Sequence, residues 1–233
     1  MKIAIVAAIP EEIDLLRNQV KNAKHENIFY QKFTTGQLCG FDVVLLECNM
    51  GKVNAAIGTT LLNQLYNPDV VINITSAGGI KEGIELNDMV IADQLCYYDV
   101  DLTPFGYEYG QIDPMPPLFA TDAKINEIIK SVAINDCGHN VFTGLIATGD
   151  SFIGPKNGVI LAEKLPDALA VEMEAAAIAQ VCYMYHKPLA VVAFISDLVT
   201  VDNNAIAHVD DLWEIDTLLR DLIIKVLQNW HEK

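Results

Sequence analysis

Residues 2–8 (K-I-A-I-V-A-A), 69–75 (D-V-V-I-N-I-T) and 189–195 (L-A-V-V-A-F-I) are apolar almost without interruption. A strand with one wet face alternates apolar and polar residues. A continuous apolar run of this length is instead a strand covered on both faces, as in a parallel sheet between helices. The first run is followed by Pro10, which suits a first helical turn because its missing N–H would be unpaired there. Ile13, Leu16 and Val20 then recur at helical spacing. Before the second run, a helix is expected with Val53, Ile57, Leu61 and Leu65 on one face, stopped by Pro68. Strands and helices alternate along most of the 233 residues, a length that one core can serve. The expectation is an α/β fold in one domain spanning 1–233, a mixed, largely parallel sheet covered by helices.

Further elements follow by the same reasoning. Residues 28–33 and 41–48 read as strands joined by a turn around Gly36 and Gly40, and 88–94 and 95–102 as two more. A long loop, 103–119, carries Tyr107, Tyr109 and four prolines, and loops of that length inside a domain are usually functional. Residues 123–133 read as a helix, 141–148 as a strand, and 168–171 as a strand handing over to a helix at 175–185. Residues 199–209 are polar and read as a lid or connector; Leu212, Ile215, Leu219, Leu222 and Val226 form the stripe of a final helix packed on the sheet.

Composition narrows the functional classes. With 15 basic and 31 acidic residues the net charge is −16, which repels nucleic-acid phosphates and excludes that partner. No apolar run approaches the roughly 20 residues of a membrane span, and Pro10-Glu11-Glu12 ends the first run too early for a signal peptide, so a cytoplasmic protein with no membrane partner is expected. Cys39, Cys48, Cys96, Cys137 and Cys182 are scattered, and the five histidines are isolated, so no metal site is expected. No G-x-G-x-x-G occurs, and Gly51-Lys52 lacks the rest of a P-loop, so no cofactor is expected either.

Four acids stand where strands end. Glu12 follows the first run, Asp197 follows the last, and Glu172 and Glu174 lie at the strand-to-helix junction near 171–175. Two readings are open at that junction: a solvated Glu172 beside a Glu174 that starts a helix, or carboxylates aimed at a ligand outside the carboxyl ends of the strands. Ser76-Ala77-Gly78-Gly79, after the second run, is likewise either a tight turn or a place where a ligand approaches backbone. If the strands are parallel neighbours, Glu12, Glu174 and Asp197 converge. Converging carboxylates suit a reaction that builds positive charge on a sugar, as cleavage of an N-glycosidic bond does through an oxocarbenium-like state.

Seven short motifs in order carry a resemblance: A-A-I-P-E-E at 7–12, M-G-K-V at 50–53, S-A-G-G at 76–79, F-G-Y-E-Y-G-Q at 105–111, G-D-S-F-I at 149–153, V-E-M-E at 171–174 and I-S-D at 195–197. The chain resembles the bacterial 5′-methylthioadenosine/S-adenosylhomocysteine nucleosidases, of the nucleoside phosphorylase-like fold. The resemblance implies hydrolysis of those two nucleosides, and of 5′-deoxyadenosine, to adenine and the 5-substituted ribose. It implies that Glu12 activates water, Asp197 protonates N7 of the leaving adenine, and Glu174 holds the ribose hydroxyls. Phe152 would lie on the adenine face with the Ile153 backbone at its edge, and Ser76, Ala77 and Gly78 would line the ribose and base. Ile9, Met50 and Met173 would form the alkylthio slot, with Glu172 and Ser196 also on the substrate-binding side. The partner is then a small nucleoside, and the assembly a homodimer in which Leu102 and Phe105 help close the neighbouring subunit's pocket.

The sequence departs from that pattern at three places. Ala193 stands where the family usually has an arginine, Ala175 replaces a glycine or threonine, and residues 198–204 continue differently. A phosphorylase on the same fold would need cations for phosphate, yet Arg17 and Arg220 sit on helical stretches with nothing to place them at a pocket. A non-catalytic nucleoside-binding relative is the other alternative.

Overall fold

The three apolar runs become adjacent strands. In the computed structural model, which describes residues 1–199 and 204–230 and only the backbone of 204–214, β1 (Lys2–Ala7), β5 (Val70–Gly79) and β10 (Leu189–Leu198) pair in parallel, with β5 in the middle. Their side chains divide between two faces, as the two-residue strand period requires. Ala4 and Val6 join one apolar cluster, while Ile3, Ile5 and Ala7 join another on the opposite face. Helices α2 (Lys52–Tyr66) and α5 (Ala175–Tyr185) cover the first face. The second is covered by the short α1 (Asp14–Arg17), α3 (Ala123–Val132) and α6 (Asn204–Asn229).

On one side of β5 the sheet continues as an open wing through β1, β4 (Phe41–Glu47), β3 (Gln31–Leu38) and β2 (Lys21–Ile28). On the other it closes. From β10 the ladders run to β6 (Met89–Tyr97), β8 (Val141–Thr148) and β9 (Ala168–Glu172), and β9 returns to β5, so these strands form a barrel. Extra residues in β6, β9 and β10 shift the register and supply the bends that closure needs. The sheet is mixed as expected, but "largely parallel" overstates it. Among the described residues five ladders are parallel and five antiparallel, counting the short β7 (Phe119–Ala120).

Several local expectations are corrected. Ile13, Leu16 and Val20 are buried, yet the helix is only a 3-10 turn at Pro10–Glu12 plus the four residues of α1. The eight residues of β2, an edge strand almost wholly exposed, carry no apolar alternation that would reveal them. Gly36 lies inside β3, and the turns fall at Phe29-Tyr30 and Cys39-Gly40, all with positive φ. Residues 89–97 make one strand where two were expected, and α4 (Pro155–Lys164) was not anticipated. Three of the four residues of the α2 stripe, Val53, Ile57 and Leu65, are exposed and Leu61 packs partly buried against the core, while Ala55, Gly58, Thr59, Leu62 and Asn63 are buried. Of the lid or connector expected over 199–209, residues 200–203 lie outside the described residues and those from 204 onward belong to α6. Ile215, Leu219, Leu222 and Val226 form the expected buried stripe; the Leu212 side chain lies outside the described residues. Among the described residues no helix is long and apolar enough to cross a membrane.

Candidate active site

Because β1, β5 and β10 run in parallel, their carboxyl ends deliver Glu12, the 76–79 segment and Asp197 to one edge. A cavity at that edge is lined by Glu12, Glu174 and Asp197 together. Ile9, Met50, Ser76, Ala77, Gly78, Phe152, Ile153, Glu172, Met173 and Ser196 line it as well. Leu102 and Phe105 do not line the cavity of their own chain; they lie at a 3-10 turn where Phe105 is 78 % exposed.

Glu12 is buried at the end of the 3-10 turn, 2 % exposed. One carboxylate oxygen accepts the Ser76 N–H at 2.8 Å and the Ser76 hydroxyl at 2.9 Å, and the other accepts the Ala8 N–H at 3.0 Å. Burial nevertheless raises its pKa above the ordinary carboxylate value, because these donors only partly replace water. A base poised upward in this way takes a proton more readily near neutral pH.

Glu172 and Glu174 divide the labour at the start of α5. Glu172 is buried, not solvated, and its carboxylate accepts the N–H groups of Glu174 and Ala175, each at 2.7 Å, along with the Thr148 hydroxyl. It therefore satisfies the unpaired donors at the helix start. Glu174 turns the other way and accepts the Gly51 N–H at 2.5 Å. Burial first, and then the negative charge of Glu172, hold Glu174 well above the usual carboxylate range. Thr148 completes the corner by accepting the Ala176 N–H at 2.8 Å.

Asp197 sits just beyond a bulge in β10, opposite Gly78 of β5, and is 2 % exposed. The Ser196 hydroxyl lies 2.8 Å from Asp197 Oδ1. A Cβ on Gly78 would stand 2.4 Å from Val199 Cγ1 and 3.1 Å from Asp197 Oδ2, so this glycine lets the two strands bring Asp197 close to the cavity floor.

Among the described residues, no arginine or lysine lines the cavity. Arg17 pairs with Asp14 and, at 2.8 Å, with Glu47, and Arg220 pairs with Asp221; neither arginine lines the cavity. Lys52 is engaged by Asp99 at 2.6 Å and stands over the Tyr97 ring. Ala193 is fully buried in β10, in register with Thr75 and Val90, and contributes only a methyl group to the apolar core. Among the described residues no group of three or more His, Cys, Asp or Glu side chains is arranged to hold a metal ion.

The phosphorylase superfamily model matches residues 2–227. A 5′-methylthioadenosine/S-adenosylhomocysteine nucleosidase of Bacillus subtilis (strain 168) is 40% identical over 232 residues, 99% of this chain and 100% of the relative. This chain belongs to that nucleosidase family. A nucleosidase of the same description from Exiguobacterium is 45% identical over 215 residues, 92% of this chain and 91% of its own. Among solved structures, the nucleosidase of Neisseria meningitidis in complex with methylthio-immucillin-A superposes with a TM-score of 0.93 at 32% identity, covering 98% of this chain and 99% of that one. The Streptococcus pneumoniae enzyme with the transition-state inhibitor MT-ImmA gives 0.90 at 36% identity, over 98% and 99% of the two chains.

Sequence reasoning missed part of this nucleosidase cavity. Thr75, Tyr98, Ser151 and Val199 also line it, and Thr148 holds it from beneath. Thr75 borders the S-A-G-G segment and could have been read from it. Tyr98 looks like any aromatic residue of a strand, and nothing in its neighbourhood of the sequence marks it.

Proposed function

We propose that the chain hydrolyses the N-glycosidic bond of 5′-methylthioadenosine and S-adenosylhomocysteine, and of 5′-deoxyadenosine, giving adenine and the 5-substituted ribose. The observation that carries this reading is a cavity lined by Glu12, Glu174 and Asp197 with both arginines paired elsewhere. Water attacks the anomeric carbon as the bond to adenine breaks. The electron pair leaves with the base, Asp197 protonates N7, and Glu12 takes the proton of the water. The negative charge of ionised Glu12 stabilises the oxocarbenium-like sugar as it forms. Glu174 holds the ribose hydroxyls, Phe152 and Ile153 meet the base, and Ile9, Met50 and Met173 meet the alkylthio group. Glu172 acts on this site by fastening the start of α5 and so aiming Glu174.

Phosphorolysis is disfavoured by the same geometry. Phosphate carries close to two negative charges near neutral pH, and entry beside buried carboxylates is costly without cations to offset it. The test is incubation with 5′-methylthioadenosine in phosphate-free buffer. Adenine and free 5-methylthioribose are expected in equal amounts. A strict need for phosphate, with the sugar 1-phosphate as product, would replace hydrolysis by phosphorolysis; no adenine release at all would leave only a nucleoside binder.

We also propose one domain over 1–233, a cytoplasmic location, and a homodimer. Support for the dimer comes from apolar side chains that face outward on α2 and around it: Val53, Ile57 and Leu65 are exposed, as are Met50, Phe105, Tyr183 and Met184. Apolar side chains in that number are unusual on a surface that meets only water. Leu102 and Phe105 would then cover the neighbouring subunit's cavity. Sedimentation is expected to give twice the chain mass, and a fully active monomer at assay concentration would exclude this arrangement.

A further inference from the structure

The loop after β8 bears Phe152 and Ile153, and residues just past the end of β6 grip its backbone at several points, beside the bond from the Gly149 N–H to the Glu172 carbonyl at 3.1 Å. The Tyr98 N–H donates to the Thr148 carbonyl at 2.9 Å, and the phenol of Tyr98 reaches the carbonyl oxygens of Gly149 at 3.0 Å and Ser151 at 2.5 Å. The next residue continues the grip, because Asp99 Oδ2 accepts the Asp150 N–H at 2.9 Å. Tyr98 is itself held, since the Tyr109 hydroxyl donates to its carbonyl. Its ring is only 7 % exposed and shares an apolar cluster with Ile153, Val171 and Val199. Contact with the loop is close: a Cβ on Gly149 would lie 2.4 Å from Tyr98 Cζ, so only glycine fits beneath the ring.

We infer that Tyr98 is a positioning residue for the base side of the site, holding the 149–153 loop so that Phe152 and Ile153 meet the adenine. The inference rests on the proposed reading of those two residues as the adenine contacts. A phenol suits the task because the loop offers it carbonyl oxygens, which need a donor. Burial pushes the Tyr98 hydroxyl further above its ordinary value, so it keeps its proton and remains that donor. The Tyr98 phenol donates to the loop carbonyls of Gly149 and Ser151, so its grip is on the loop, and its effect falls on binding of the base more than on the chemical step.

The test compares wild type with Tyr98→Phe, which removes the donor and keeps the ring against Gly149. Inhibition constants are measured for adenine and, separately, for 5-methylthioribose, together with KM and kcat for 5′-methylthioadenosine. Loss of one buried hydrogen bond should raise KM and the adenine constant by roughly 3- to 10-fold, with kcat falling less than KM rises and the 5-methylthioribose constant within about twofold of wild type. A purely structural role would weaken both ligands alike. An adenine constant unchanged in Tyr98→Phe, or adenine and 5-methylthioribose weakened together, would overturn the inference. Should Tyr98→Phe not fold, Asp99→Ala releases the Asp150 N–H in the same loop and is read by the same selective loss. A wild-type chain that releases no adenine would instead remove the proposed function, and the inference with it.

Discussion

Replacing Asp197 by asparagine will lower turnover of 5′-methylthioadenosine roughly 10²- to 10⁴-fold, the usual cost of losing a general acid or base. Asparagine has the same shape, and the space between Gly78 and the bulge of β10 will admit it. The amide can still offer an N–H toward N7 of the base. It cannot give the proton up, so the departing adenine must leave as an anion or wait for water. Substrate affinity should therefore stay near that of wild type while kcat falls. Equilibrium binding and single-turnover adenine release separate the two. Near-normal release by Asp197→Asn would take the proton-donor role away from Asp197.

What was legible in the sequence was whatever depends on period and burial along the chain. The continuous apolar runs of β1, β5 and β10 announced central strands, and parallel pairing of those three brings Glu12, the 76–79 segment and Asp197 to one edge. Glu174 arrives differently. Its strand β9 meets β5 in antiparallel fashion only at Gly78 and Gly79, so the convergence of Glu174 with Glu12 depends on closure of the barrel. Closure is set by bulges between distant strands and has no local signature. The same holds for Glu172: it lines the cavity, and its bonds to Thr148, Glu174 and Ala175, which depend on the pairing of β8 with β9, have no signature in the sequence.

Other misses have simpler physical origins. The polar edge strand β2 has one neighbour and little to bury, so its sequence is free of strand periodicity. The stripe on α2 was legible as a face but carried no direction, because helical spacing tells which residues share a side and not which side meets the core. The inner contact combines Leu62 with the small residues Ala55 and Gly58, while Val53 and Ile57 point outward.

The final expected result concerns Glu12→Gln: a loss of turnover of roughly 10²- to 10⁴-fold, accompanied by disappearance of the acid limb of kcat/KM. Glu12 accepts a proton only when ionised, and burial raises its pKa from 4.5. Wild-type kcat/KM should therefore climb with pH through a range above the ordinary carboxylate value, and the residual activity of Glu12→Gln should be flat there. Stability runs the opposite way. A carboxyl group whose folded pKa is raised keeps its proton longer in the native state than in the unfolded one. Its contribution to stability is complete below the unfolded value and is lost as pH rises through the folded value, so the base becomes competent over the interval in which the fold is weakened. Glutamine does not titrate, and wild-type stability should decline across that interval relative to the variant. The variant carries its own constant penalty, because its amide NH₂ must face either the Ser76 or the Ala8 N–H donor. Thermal unfolding of both proteins as a function of pH, beside kcat/KM, tests the link. A wild-type acid limb that survives in Glu12→Gln would assign the titration to another group and sink the role of Glu12 as the base.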